Sequence, residues 1–120
     1  MKRNEYDAII IGFGKGGKTL AAKLGASGKK VALAEMDSDM YGGTCINVGC
    51  IPSKSLITSA AKADPHAPEA EKAAAFRRAV EEKRRLTAML RKKNYDKLER
   101  MENAPCTMGM PVLWARIRWR

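Results

Sequence analysis

A glycine-rich turn that follows an apolar run is the feature that most limits how this chain can fold. The run ends in three isoleucines, Ile9 to Ile11, and residues 6–11 are long enough for a buried strand. In a dinucleotide-binding turn, the first glycine allows a tight bend, the second lets a pyrophosphate approach the backbone, and the third lets the helix pack on the strand. The spacing of Gly12, Gly14 and Gly17 fits these three positions.

The residues after the turn predict a helix and a second strand. The helix is expected from Lys15 to about Ala26, with Leu20 and Leu24 on its inward face and Gly28 at its end. The apolar residues 31–35 form the second predicted strand. Together these elements predict an α/β fold with a parallel sheet.

Glu35 ends the second predicted strand, roughly 20 residues after the first glycine of the turn. A carboxylate at this point can accept hydrogen bonds from the ribose hydroxyls of an adenosine. Its negative charge would also repel a 2′-phosphate. The position of Glu35 therefore favours FAD as the dinucleotide.

Two cysteines, Cys45 and Cys50, lie in a second glycine-rich segment, residues 42–54. An irregular helical turn between them can bring their α-carbons within the roughly 7 Å that a disulfide requires. A disulfide in so short a loop is strained, and strained disulfides tend to be catalytic. A helix that begins near Cys50, with Pro52 early in it and Lys54 nearby, is expected to lower the pKa of a thiol.

Two other interpretations of the cysteines are less well supported. Zinc ligands usually come as two close pairs, and the only further candidates are the isolated Cys106 and His66, so no metal site is predicted. The cysteines could also be buried and inert. His66 lies between two prolines in a predicted break and is expected to be exposed.

The segment from Gly42 to Lys54 resembles the active-site motif of the flavin-dependent pyridine nucleotide-disulfide oxidoreductases, the family of glutathione reductase, dihydrolipoamide dehydrogenase and mercuric reductase. Every position of the motif is matched. The resemblance implies that Cys45 is the interchange thiol that meets the substrate and that Cys50 lies against the flavin. It also implies that Gly43, Thr44 and Lys54 contact the flavin.

The same resemblance implies a Rossmann-like FAD-binding domain, with FAD as cofactor and NAD(P)H as electron donor. It further implies a homodimer in the full-length enzyme and a small-molecule or metal-ion electron acceptor. Local residues, 12–15, 40–43 and 94–96, look most like a bacterial subgroup related to mercuric reductase that defends against reactive chlorine.

The first glycine turn also fits a P-loop, because Gly12 is followed after four residues by Gly17, Lys18 and Thr19. A P-loop enzyme needs a magnesium-binding acid at the end of another apolar strand, and no such acid follows Glu35. A P-loop also leaves the cysteine motif unexplained. A phosphate-binding NTPase fragment is therefore the weaker interpretation.

The net charge of +10 raises the alternative of a nucleic-acid-binding protein. Much of that charge lies on a predicted helix from Glu69 to Leu90 and on the residues after it, with a shorter helix expected at residues 95–101. The first of these helices carries a spaced apolar face: Phe76, Val80, Leu86, Met89 and Leu90. The basic residues then form a solvated face, so no nucleic-acid partner is predicted.

The cysteine usage favours a reducing compartment, because only three cysteines are present and two of them form the redox motif. No run approaches the roughly 18 apolar residues of a membrane span. The sequence therefore predicts a cytoplasmic protein with no membrane partner.

The resemblance covers residues 1–105, interpreted as the N-terminal part of an FAD-binding domain, and stops before residues 106–120. Read from the third base of each codon, Met108 to Pro111 must encode Gly-x-Ala, a pattern that the family often has in the β segment expected here. We therefore interpret the tail as the product of a frameshift near codon 105. A chain truncated in this way is expected to be inactive alone, poorly soluble and weak in FAD retention.

Overall fold

The computed structural model describes residues 5–102 and the backbone of residues 106–108. Within these residues a parallel sheet has the strand order β1-β2-β3, with β1 at Ala8–Ile11, β2 at Val31–Glu35 and β3 at Cys106–Met108. The helices are α1 (Lys15–Ala26), α2 (Thr44–Asn47), α3 (Cys50–Ala61) and α4 (Glu69–Glu99), and a 3₁₀ turn occupies Ser38–Met40. The predicted α/β fold with a parallel sheet is confirmed.

The strand–helix–strand unit at the N-terminus holds the core. β1 and β2 pair in parallel from Ala8 opposite Val31 to Ile11 opposite Ala34, and α1 connects them. Parallel neighbours need such a crossover. The core is formed by residues of the turn, α1, β2 and α4: Phe13, Ala21, Val31, Leu33 and Leu98.

The inward face of α1 differs from the prediction in one residue. Leu24 packs against the core, but Leu20 is 50% exposed, and the buried position is the next residue, Ala21. The reason is that Gly17 packs closely against the backbone of Gly12 and so fixes which side of the helix faces inward. Residues four and seven positions after Gly17, which are Ala21 and Leu24, lie on the same helix face.

The prediction of a fully buried first strand is wrong for one face of the sheet. Ile10 packs against the core on the α1 side, whereas Ile9 and Ile11 are 66% and 57% exposed on the other side. Side chains of a strand alternate between the two faces, and α1 covers only one of them. An uncovered apolar strip therefore lies on this sheet.

The predicted break between two basic helices does not occur, because α4 is one continuous helix from Glu69 to Glu99. Asn94, where the break was expected, donates from Nδ2 to the carbonyl oxygen of Leu90 at 2.7 Å. Its Oδ1 accepts a hydrogen bond from Lys18 on α1. Both polar atoms are thus satisfied within a helical geometry.

The buried face of α4 also differs from the predicted one. Phe76 and Met89 are exposed, and the buried positions are Ala79, Thr87 and Leu98. Small side chains at Ala79 and Thr87 allow α4 to lie close to its neighbours. Among the described residues, no helix is long and apolar enough to cross a membrane.

The tail interpreted as a frameshift product lies outside the described residues, apart from the backbone of β3. That backbone pairs in parallel with β2, with Leu33 opposite Cys106 and Glu35 opposite Met108. The frameshift remains a prediction. His66, in the connection between α3 and α4, is exposed, as predicted.

Candidate active site

The first glycine turn depends on close backbone packing at its third glycine. A Cβ placed on Gly17 would lie 2.3 Å from the carbonyl oxygen of Gly12 and 3.1 Å from Cγ2 of Ile10. Gly12 has a φ of +93°, a conformation that side chains disfavour. The first and third glycines therefore have the structural roles that the sequence predicted.

The middle of the same turn is open to a ligand. A Cβ on Gly14 or Gly16 would meet no atom of the described residues within 4 Å. α1 begins at Lys15, and its first turn has neither a side-chain cap nor an acidic residue among the described residues. Free backbone N–H groups at a helix N-terminus attract anions. This part of the structure therefore fits the pyrophosphate of a dinucleotide.

Lys18 distinguishes this turn from a P-loop. In a P-loop the lysine reaches the nucleotide phosphates. Here Lys18 Nζ donates to Oδ1 of Asn94 at 2.5 Å, so its side chain is directed to α4. The arrangement favours the dinucleotide interpretation.

Glu35 is 9% exposed at the end of β2, and its carboxylate organises the turn. Oε2 accepts a hydrogen bond from the backbone N–H of Phe13 at 2.8 Å, and Oε1 accepts from the N–H groups of Met36 and Asp37 at 2.9 and 3.2 Å. The sequence did not reveal these contacts. A carboxylate has about four acceptor positions, so one is still available for a ribose hydroxyl. The ribose contact remains a prediction.

Replacing Glu35 by Gln is expected to lower the free energy of unfolding by about 2 kcal/mol. The side-chain amide of Gln keeps one acceptor oxygen. Its NH₂ group replaces the other carboxylate oxygen and would face a backbone N–H group, so a hydrogen bond is lost and two donors oppose each other. Urea unfolding followed by circular dichroism measures the change. D64N, at an exposed acid whose Oδ1 accepts from His66 N, is the control. Equal effects of E35Q and D64N would contradict the role given to Glu35.

The two cysteines lie at the ends of an irregular turn, as predicted. Cys45 is in α2, Cys50 is the first residue of α3, and both are exposed and reduced. The N–H groups of Val48 and Gly49 both donate to the carbonyl oxygen of Thr44, at 2.9 and 2.8 Å. This doubled hydrogen bond closes the turn between the two cysteines.

The pKa of the Cys45 thiol is raised, chiefly because its side chain is hydrogen-bonded to Cys50, with smaller contributions from desolvation and from the charge of Cys50. Lys15 acts in the opposite direction and lowers the pKa. A thiol that donates to a neighbouring sulfur retains its proton more strongly.

The two glycine motifs are in direct contact. A Cβ on Gly43 would lie 2.7 Å from Cα of Gly14 and 3.5 Å from the backbone nitrogen of Lys15. The N–H of Gly42 donates to the carbonyl oxygen of Phe13 at 3.1 Å. The fold thereby places the redox turn beside the turn that fits a dinucleotide.

Further residues that the sequence did not single out hold this contact together. Asn47 donates from Nδ2 to the carbonyl oxygens of Tyr41 and Gly43, at 3.1 and 2.9 Å. The ring of Tyr41 lies 5.1 Å from that of Phe13 and 4.9 Å from that of Tyr95, measured between centroids. Aromatic pairs at such distances stabilise packing. The sequence contained no signal for this aromatic row, because its members are far apart along the chain.

Two of the residues predicted to contact the flavin have exposed side chains. Thr44, the first residue of α2, and Lys54 on α3 are exposed. Thr44 lies directly after Gly43 and therefore beside the contact between the motifs. The roles of both residues toward a flavin remain predictions. Among the described residues, no group of three or more His, Cys, Asp or Glu could hold a metal ion.

A parallel strand–helix–strand unit with an open glycine turn, joined to a thiol pair, is the arrangement expected of a dinucleotide-binding redox protein. The sequence profile described as pyridine nucleotide-disulphide oxidoreductase matches residues 6–105, and the chain belongs to that family.

Similar proteins include a probable pyridine nucleotide-disulfide oxidoreductase, RclA, of Escherichia coli, which is 46% identical over 83% of this chain and 20% of its own length. A dihydrolipoyl dehydrogenase of Corynebacterium glutamicum is 51% identical over 46% of this chain and 11% of its own length. The solved structure of the Cu(II) complex of E. coli RclA, an HOCl-induced flavoprotein disulfide reductase, matches with a TM-score of 0.76 and 44% identity. That match covers 89% of this chain and 22% of the relative. The chain thus spans about a fifth of the length of RclA.

Proposed function

We propose that this chain is the N-terminal part of an FAD-dependent pyridine nucleotide-disulfide oxidoreductase. In that enzyme, electrons from NAD(P)H reach the Cys45–Cys50 disulfide and pass to a small-molecule or metal-ion acceptor. The observation that carries the proposal is the contact of Gly43 with Gly14, which places the redox turn beside the dinucleotide turn. FAD would supply the hydride chemistry when bound.

The residues proposed to hold FAD fall into two groups. The open turn and the acid at the end of β2 would hold the adenosine and pyrophosphate: Gly12, Gly14, Gly17 and Glu35. The redox motif and α3 would hold the flavin: Gly43, Thr44 and Lys54. The first group is supported by the open space where a Cβ on Gly14 would stand and by the uncapped first turn of α1.

The thiol pair itself performs a two-electron exchange. Two electrons and two protons convert the Cys45–Cys50 disulfide into two thiols. The dithiol then returns two electrons and two protons to the acceptor, and the sulfur–sulfur bond forms again. The position of Cys45 and Cys50 at the two ends of one closed turn supports this exchange.

We infer a cytoplasmic enzyme, because the chain has three cysteines, of which two form the redox motif, and such usage favours a reducing compartment. We also propose a homodimer for the full-length enzyme and neither a nucleic-acid nor a membrane partner. The basic residues of α4 are consistent with a solvated helix face, since Lys92 pairs with Asp96 at 2.9 Å one turn away.

Mild oxidation of the purified 120-residue chain with diamide tests the thiol pair. The chain contains three cysteines, and we expect titratable thiols to fall from three to one and to recover with dithiothreitol. C45S and C50S are each expected to abolish the intramolecular disulfide, whereas C106S is the control and should retain it. Equal behaviour of the three variants would contradict the assignment of the pair.

A chimera tests the activity. Residues 6–105 of this chain would replace the matching segment of E. coli RclA. We expect the chimera to bind FAD and to oxidise NAD(P)H, and C45S in it to lower disulfide reduction by about 1,000-fold or more. The 120-residue chain alone is expected to retain little FAD and to show no turnover. A chimera that binds FAD but is unaffected by C45S would overturn the proposal.

A further inference from the structure

Lys18 is fixed beside the redox turn by a residue of α4. Its Nζ donates to Oδ1 of Asn94 at 2.5 Å. The side-chain amide of Asn94 also lies 3.5 Å from the place where a Cβ on Gly42 would stand. Because Gly42 comes three residues before Cys45, Asn94 contacts both the lysine and the loop that carries the interchange thiol. The ammonium group is therefore held near that loop.

A second contact brings the same helix to the same loop. Gly43 packs against Gly14 and the backbone nitrogen of Lys15, which is the first residue of α1. Residues three positions apart on a helix lie on the same side, so Lys15 and Lys18 share one side of α1. The N-terminal turn of α1, which carries Lys15 and Lys18, thus lies against the loop that carries Cys45.

The electrostatics agree with this geometry. Burial lowers the pKa of Lys18, the charge of Cys45 raises it, and Lys97 and Lys15 lower it. Coupling between two titrating groups is reciprocal, so a thiolate that favours the charged lysine is itself favoured by that lysine. Lys15 lowers the pKa of Cys45 directly, against the rise caused by Cys50.

We propose that Lys18, held in place by Asn94, is a positioning residue that stabilises the thiolate of Cys45. The inference rests on the proposed function, in which Cys45 is the thiol that meets the acceptor. A half-buried ammonium is costly, and a neutral side chain could fill the same space between α1 and α4. The charge is useful here because a thiolate, not a thiol, is the nucleophile.

The test follows the alkylation of Cys45 in the 120-residue chain carrying C50S and C106S, so that one thiol remains. The rate of reaction with iodoacetamide is measured against pH. K18M is expected to raise the pKa of Cys45 and to slow alkylation about two- to fivefold at pH values below that pKa. K18R keeps a cation and should react nearly as fast as the parent. Added salt should reduce the difference between K18M and the parent.

K23M is the matched control, because Lys23 is an exposed lysine in the last turn of the same helix. N94A keeps the ammonium group of Lys18 but removes the side chain that holds it, so a smaller fall in the alkylation rate is expected than for K18M. Equal rates for K18M and K23M, with the helical circular dichroism of both retained, would overturn the inference. An N94A rate equal to the parent's would show that Asn94 does not position the lysine. If K18M fails to fold, K18Q and the salt dependence of the parent decide the question.

A failure of this inference can be distinguished from a failure of the proposed function. The alkylation experiment needs neither flavin nor a disulfide, whereas the proposed function depends on diamide oxidation and on the chimera. A chain that forms the Cys45–Cys50 disulfide while K18M leaves the pKa of Cys45 unchanged would refute only the role of Lys18.

Discussion

Replacing Gly17 by Ala is expected to lower the free energy of unfolding by about 2 to 3 kcal/mol, although Ala is the better helix former. The new Cβ would stand 2.3 Å from the carbonyl oxygen of Gly12, which is backbone and cannot rotate away. α1 would have to move off the strand, and the packing of Ala21 and Leu24 in the core would change with it. Urea unfolding followed by circular dichroism measures the loss.

The adjacent residue provides the control for this experiment. Gly16 lies in the same helix, and a Cβ there would meet no atom of the described residues within 4 Å. G16A is therefore expected to raise the free energy of unfolding by about 0.5 kcal/mol through helix propensity alone. If G17A were as stable as G16A, the close packing of α1 on the turn would be refuted.

Much of the fold follows from local patterns in the sequence. The two first strands, the bounds of α1 and the start of α3 at Cys50 were predicted correctly, because apolar runs and glycine positions specify them over a few residues. The errors concern contacts between elements. Leu20 was assigned inward because periodicity alone does not give the rotation of a helix, which is set here by Gly17.

The error at Asn94 has a different physical origin. Asparagine often ends a helix because its side chain competes for backbone hydrogen bonds. Here Oδ1 of Asn94 accepts a hydrogen bond from Lys18, which is 76 positions away in the chain, and Nδ2 donates to a carbonyl oxygen within the helix. A tertiary partner thus overrode the local preference, and no local pattern could indicate it.

In the candidate site, too, local motifs predict the residue types, whereas the contacts between elements depend on the fold. Its residue types could be predicted from two short motifs, but their contact could not, because the glycine turn and the redox turn are separated by α1, β2 and the 3₁₀ turn. The role of Glu35 in binding the N–H of Phe13 also depends on the fold. Backbone packing joins the two motifs, and their glycines are the only feature of the sequence that indicates this packing.

Replacing Gly43 by Ala is expected to have the largest effect, a loss of about 3 kcal/mol or more in the free energy of unfolding. Gly43 has a φ of +83° and a ψ of −177°, a region that is nearly restricted to glycine. Its Cβ would also lie 2.7 Å from Cα of Gly14. The substitution would force apart the two turns, and the hydrogen bond from Gly42 to Phe13 would weaken with them.

Gly28 is the reference for the cost of a positive φ without a steric contact. Its φ of +82° is nearly the same, but a Cβ there would meet no atom of the described residues within 4 Å. G28A is therefore expected to cost about 1 kcal/mol, from the positive φ alone. The excess loss in G43A then contains the contact between the dinucleotide turn and the redox turn together with the strain of the extended ψ of Gly43. If G43A and G28A lost the same stability and G43A bound FAD normally in the RclA chimera, the two turns would not depend on each other. The observation that carries the proposed function would then have no energetic basis.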